Sequence, residues 1–155
     1  MADFPSVEFF ETLRERMNAN RERFRRIGTA DVVLVVKIDF PDHVRCFEVV
    51  FDGYRCESAR ALPSLAAARP GAVIVEGPYA VWREMVENIQ RNGQADLDHT
   101  LNTLSLMDTP LRISAANQLD TDLFYRYQQT LQEFFDGAGA IAAASVRGDG
   151  QAAAS

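Results

Sequence analysis

Val32, Val33, Leu34, Val35, Val36 and Ile38 crowd into the stretch from Asp31 to Phe40. β-Branched side chains on neighbouring positions lose rotamer freedom in a helix and fit a pleated surface, so the stretch is read as a strand. Its first half is apolar on both faces, which places it centrally in a sheet. Pro41-Asp42-His43 turns the chain. Val44 to Phe51 then alternates, with Phe47, Val49 and Phe51 on one face. Asp52-Gly53 is a strong short hairpin signal, and Tyr54 to Ala59 returns antiparallel. Three consecutive strands thus form a meander.

On either side the apolar spacing lengthens to the helical period. Ser6 to Ile27 is predicted as one helix, with Ser6 as its N-cap and Phe9, Phe10, Leu13, Met17, Phe24 and Ile27 on one stripe. Gly28 ends it. Its outer face carries Arg14, Arg16, Arg21, Arg23, Arg25 and Arg26 against Glu15 and Glu22. That face is either a solvated surface with intrahelical ion pairs or a basic strip for an anionic membrane or a phosphate-bearing ligand. Leu62 to Gly71 is a connector with one helical turn, and Ala72 to Val75 a short buried strand. Gly77-Pro78 opens a helix with proline at the first position. Trp82, Met85, Val86 and Ile89 give it one apolar stripe, and Asn92-Gly93 closes it. Asp96 to Leu104 is a short helix. Met107-Asp108-Thr109 turns into a last short strand from Pro110 to Ser114. Asp120 or Thr121 caps a closing helix whose stripe is Leu123, Phe124, Tyr127, Leu131, Phe134 and Phe135, running to Asp136. The fold class is α+β, one domain over residues 1–136 with its N-terminal helix at 6–27. Residues 137–155 are Gly, Ala and Ser with few large side chains. They cannot bury enough apolar area to offset ordering, and disorder is expected there.

Charge and composition exclude several function classes. The 155 residues carry a net charge of −6, the wrong balance for neutralising nucleic-acid phosphates. No apolar run reaches the roughly 20 residues needed to span a bilayer. Met1 to Ser6 contains Asp3 and lacks a basic region followed by an apolar stretch, so a cytoplasmic location is expected. Cys46 and Cys56 read as buried or half-buried thiols in a reducing compartment. With His43 and His99 far apart, no metal site is expected, and no cofactor motif is present. His43 and Cys46 lie three apart on an alternating strand and point to opposite faces. The helix start after Glu76-Gly77 can take an anion, but Pro78 removes one donor. Asp96, Asp98, Asp120 and Asp122 bracket helix starts, where a carboxylate favours the dipole.

The aromatic supply is more informative. Ten Phe, four Tyr and one Trp belong to the chain, many on the three helix stripes. They either form a solid core or enclose a cavity, for which the flexible Met17, Met85 and Met107 are suited.

The order of elements, with the block AVIVEGPYAVWREMVENIQRNG and the later stretch LNTLSLMDTPLRISAANQLDTDLFYRYQQTLQEFFD, resembles the sterol carrier protein 2 sterol-binding domain family. The resemblance covers roughly Gly28 to Asp136. It implies a mostly antiparallel sheet of about five strands, covered by helices on one face, with an apolar tunnel between the layers. It also implies binding or transfer of a sterol, fatty acid, fatty acyl-CoA or phospholipid without chemistry of its own. Carried over by position, Trp82, Met85 and Ile89 form one wall. Leu101, Leu104 and Met107 form a second, and Phe124, Tyr127 and Leu131 close the tunnel. Two other readings stay open. One is an enzyme acting on an apolar metabolite in the same cavity through His99, Tyr127, Arg126 and Asp122, which would then converge on one wall. The other is an accessory protein whose stripes form a homo-oligomer interface.

Overall fold

The computed structural model describes residues 3–106 and 110–141. Five strands build one sheet: β1 (Val32–Asp39), β2 (Val44–Asp52), β3 (Arg55–Leu62), β4 (Val73–Pro78) and β5 (Arg112–Ala115). Their spatial order is β3-β2-β1-β4-β5. The strand that is apolar on both faces, β1, is therefore central. The β1–β2, β2–β3 and β4–β5 pairs are antiparallel. The sheet is nevertheless mixed, because β4 lies parallel to β1, with Val36 opposite Val75. The expected hairpin is present, with Gly53 at φ 66°, a conformation that needs no Cβ.

Alternation sorts the two faces. Val32, Leu34, Val36 and Ile38 of β1, with Phe47, Val49 and Phe51 of β2, join the main core under the helices. On the opposite face Val35, Cys46, Leu62 and Ala72 form a small second cluster. The connector after β3 covers it, with a 3-10 turn at Leu65–Ala67. Glu48, on this face, is fully buried. It accepts hydrogen bonds from Arg60 Nε at 2.9 Å and from the Arg69 backbone N–H at 2.8 Å. Farther along, Glu76 bridges Lys37 and Arg112, so ion pairs tie β1, β4 and β5 together.

The helices are α1 (Val7–Ala19), α2 (Arg21–Ile27), α3 (Tyr79–Asn92), α4 (Leu101–Leu104), α5 (Asp122–Arg126) and α6 (Gln128–Asp136). Ser6 caps α1 as expected, its side chain accepting from Phe9 N at 3.1 Å. The single helix predicted over 6–27 is corrected to two. Asn20 leaves helical geometry at φ −118°, ψ 47°, and its side chain donates to Arg16 O at 2.7 Å. A short amide that bonds its own backbone competes with the helical ladder. The closing helix is likewise broken, at Tyr127. Pro78 is the N-cap of α3 and not its first helical residue. The short helix expected from Asp96 covers only α4, because Asp96 turns the chain beforehand, accepting from the Asp98 and His99 backbone N–H groups at 3.1 Å.

At the edge of the sheet the β2–β3 register shifts between Val50 and Phe51. Asn18 of α1 fills the gap, accepting from Cys56 N at 2.9 Å and donating to Cys56 O at 3.1 Å. Helical chain also continues past Asp136 to Ile141, where Ala138 and Ile141 are buried in the core. The order therefore extends beyond the boundary expected at 136. Residues 142–155 of the expected tail and the turn at 107–109 lie outside the described residues. No helix among the described residues is long and apolar enough to cross a membrane.

Candidate ligand-binding interior

Burial of α3 follows directly from its spacing. Trp82, Met85, Val86 and Ile89 recur at helical intervals and all lie inside. From α6, Leu131, Phe134 and Phe135 face the same space, joined by Phe124 of α5 and Leu101 of α4. Of the residues proposed from sequence as lining, Trp82, Met85, Ile89, Leu101, Phe124 and Leu131 are buried in one cluster. Leu104 and Tyr127 are half-buried and pack against it. Met107 is outside the described residues.

The lining named from sequence leaves out α1, although its aromatic stripe is one of the three read as forming a core or enclosing a cavity; α1 shares this space. Phe10 stacks on Phe47 of β2 at 4.9 Å and meets Phe135 edge-on at 6.2 Å. Phe51 and Phe134 meet edge-on at 5.1 Å, which joins β2 to α6. The stripe through Phe9, Phe10, Leu13 and Met17 was the available signal. Leu111 was missed as well: it is buried against Gly77, where an added Cβ would fall 2.5 Å from the Leu111 side chain.

Two polar atoms stand out in these surroundings. Trp82 is 1% exposed, and its Nε1 has no hydrogen-bond partner among the described residues. Gln128 Oε1, at the start of α6, is buried and also unpartnered among them. Gln128 borders a hollow of about 230 Å³ together with Thr100, Asn102, Gln129 and Gln132. A neighbouring hollow of about 530 Å³ between α2 and α6 shares Gln129 and Gln132 and adds Arg23, Arg26 and Asp136. Burial pushes the Asp136 carboxyl above its ordinary range.

The segment 93–106 lies over α3 and α6 and is fastened by polar bonds. Asn88 of α3 exchanges two 2.9 Å hydrogen bonds with Asp96. Ala95 N donates to Asp136 at 3.1 Å, and Leu101 N donates to Gln132 at 2.8 Å. His99 lies between Asp96 at 2.6 Å and Glu84 at 3.2 Å, and hydrogen bonds to these two carboxylates raise its pKa.

The groups named for an enzyme do not converge. His99 is engaged by its acidic neighbours, Tyr127 packs on the core, and Asp122 and Arg126 are exposed. Both thiols are free and buried. Burial pushes the Cys56 thiol up to about 12, so at neutral pH it is not the thiolate that a nucleophile requires. Among the described residues no group of three or more acidic, His or Cys side chains is placed to hold a metal ion. Three of the six arginines of the first two helices form ion pairs: Arg14 with Glu11 and Arg25 with Glu22 within their helices, and Arg23 with Glu133 of α6.

No protein-family model matches the chain, and no curated protein matches it. Two solved structures do. A crystal structure of sterol carrier protein 2 superposes with a TM-score of 0.65 at 17% identity, over 88% of this chain and 98% of that one. The solution structure of a conserved hypothetical protein from Thermus thermophilus, described as possibly a sterol carrier protein, gives 0.62 at 14% identity, over 91% of each chain. The chain has the sterol carrier protein 2 fold.

Proposed function

We propose that this protein binds, and passes on, a lipid-like apolar molecule held between the helical layer and the sheet. The observation that carries this reading is the shared fold, which spans nearly the whole of sterol carrier protein 2. It is joined by a chemical one: apart from Asn88 and Thr130, the side chains that α3, α4, α5 and α6 turn inward are aromatic, Met, Val and Leu or Ile. In this reading Trp82, Met85, Ile89, Leu101, Leu104, Met107, Phe124, Tyr127 and Leu131 line the ligand. The candidate ligands are sterols, fatty acids and fatty acyl-CoA, and the protein does no chemistry on them. Entry is by displacement of segment 93–106, held on α3 and α6 by a few hydrogen bonds and by the buried Leu101.

A fluorescent fatty acid and a fluorescent sterol test the reading. Saturable binding in the micromolar range or tighter, reversed by unlabelled lipid, is the expected result. Absence of saturable binding across sterol, fatty acid and acyl-CoA panels overturns it. Native mass spectrometry of freshly purified protein gives an independent check through a co-purified lipid.

A further inference from the structure

We propose that the indole N–H of Trp82 is the polar anchor of the bound molecule, and that the buried end of that molecule carries an uncharged hydrogen-bond acceptor such as a hydroxyl, ester or ketone oxygen. This rests on the binding of an apolar ligand proposed above and narrows its class.

A buried indole N–H normally finds an acceptor. Trp82 is 1% exposed, yet its Nε1 has none among the described residues. Neighbouring α3 carbonyls are occupied by the helix itself. The Phe135 ring lies 6.0 Å away at an interplanar angle of 33°. An N–H in the indole plane therefore slants along that ring and is not aimed at its face. Phenylalanine would fill much of the same space without leaving a polar atom unsatisfied. The chain has ten phenylalanines and places its one tryptophan here. An acceptor supplied from outside the protein satisfies the donor.

The same surroundings decide the charge of that acceptor. Among the described residues the buried polar side chains are Glu48, Asn88, Ser105 and Thr130, and none is a cation. Glu48 belongs to the opposite face of the sheet, with its own arginine partners. An ionised carboxylate or phosphate beside Trp82 would have one neutral donor and no counter-ion, which does not offset its desolvation. A neutral oxygen needs only the one N–H. The ligand's polar end thus lies inward against α3.

With a single tryptophan, the ¹⁵N-labelled full chain gives one indole N–H resonance, and the quenching of its fluorescence reports occupancy. The probes are four molecules of matched chain length: hexadecan-1-ol, methyl palmitate, ionised palmitate and hexadecane. The alcohol and the ester are expected to shift the indole proton downfield and to bind about tenfold more tightly than hexadecane or palmitate. In Trp82→Phe, followed by displacement of a fluorescent sterol, that preference disappears while hexadecane binding is retained. If all four bind wild type alike and the indole proton does not move downfield, the anchor is wrong and the carrier reading stands. If palmitate binds the tightest, the uncharged acceptor is wrong. If none binds, the carrier reading fails and the anchor falls with it. The wild-type resonance decides the matter even if the variant does not fold.

Discussion

Replacing Glu48 by glutamine tests how the face of the sheet away from the helices is held. Glu48 is fully buried on β2, opposite Val35 of β1 and Arg60 of β3. Its oxygens accept from Arg60 Nε at 2.9 Å and from Arg69 N at 2.8 Å, with Arg69 Nε at 3.5 Å. All three partners are donors, and a carboxylate is an acceptor at both oxygens. Glutamine keeps one acceptor and turns an NH₂ toward the other donor. The Arg60 and Arg69 guanidinium groups are about half exposed and recover water in part, so the loss is that of one charged acceptor. A hydrogen bond to a charged group is worth about 1.5–3 kcal/mol, and we expect Glu48→Gln to destabilise the fold by about 2 kcal/mol at neutral pH. For a chain of this length that lowers Tm by about 4–8 °C. Burial alone would push the Glu48 carboxyl up, but the hydrogen bonds from Arg60 and Arg69 and their two charges outweigh it and hold it below its ordinary value of 4.5. A folded pKa below the unfolded one contributes stability that is complete above the unfolded value and is lost as pH falls through the folded value. The gap between wild type and Glu48→Gln should therefore be full at about pH 7 and close as pH falls below 4.5 and through the folded value, where the wild-type carboxyl gains its proton. Urea denaturation at both ends reads it. Equal stability at neutral pH would mean that water already serves these donors. A gap that persists unchanged in acid would mean that side-chain shape, and not charge, is responsible.

Two further outcomes are expected. His99 has its pKa raised by its hydrogen bonds to Asp96 and then Glu84, so its contribution is complete below the ordinary value of 6.5 and is lost as pH rises through the folded value. Thermal melts of wild type and His99→Gln should differ most at about pH 6 and converge in alkali, and a gap that widens with pH refutes the assignment. Gly139→Ala would place a Cβ 3.0 Å from the Gly93 backbone, where no flexible side chain can yield. Overpacking costs about 1–3 kcal/mol against about 1 kcal/mol returned by alanine's helix propensity. A net loss of about 1 kcal/mol is expected, and a rise in Tm would show that residues 138–141 are not docked on α3.

The strands were legible because their signals are local. β-Branched crowding at Val32–Val36 gives the centre of the sheet, and Asp52-Gly53 gives the hairpin. The direction of β4 was not legible, since Val73, Ile74 and Val75 suit a parallel or an antiparallel neighbour equally. Nor were the helix breaks, because the stripe from Met17 to Phe24 keeps helical spacing straight across Asn20. Glu48 reads in the sequence as a solvent-facing position of an alternating strand. It is buried only because a connector some twenty residues later brings the Arg69 N–H across it. Composition also concealed the last turn: Gly137 to Ile141 looks like the start of a low-complexity tail, yet its small residues are what let it approach Gly93 so closely. Within the interior, the stripe of Trp82 could be read from spacing, but the missing partner of its N–H depends on every neighbour in three dimensions.

The two sides of the sheet are held by different means, and the difference bears on where a ligand can be admitted. On the face away from the helices, Glu48 with Arg60 and Arg69, and Glu76 with Lys37 and Arg112, link strands and connector through charged bonds over a small apolar cluster. Opening that face would break the charged bonds that Glu48 makes with Arg60 and Arg69. The helical side includes two short pieces, α5 of five residues and α4 of four, the latter within the segment 93–106. Helices this short have no stability of their own and depend on what they pack against. Leu97 and Leu106 on that segment are 85% and 53% exposed, so parts of it contribute little burial. Local opening is cheapest where apolar contacts are few and hydrogen bonds meet solvent. Opening of the interior is therefore expected on the helical side, and the proposed ligand enters there without any change in the sheet.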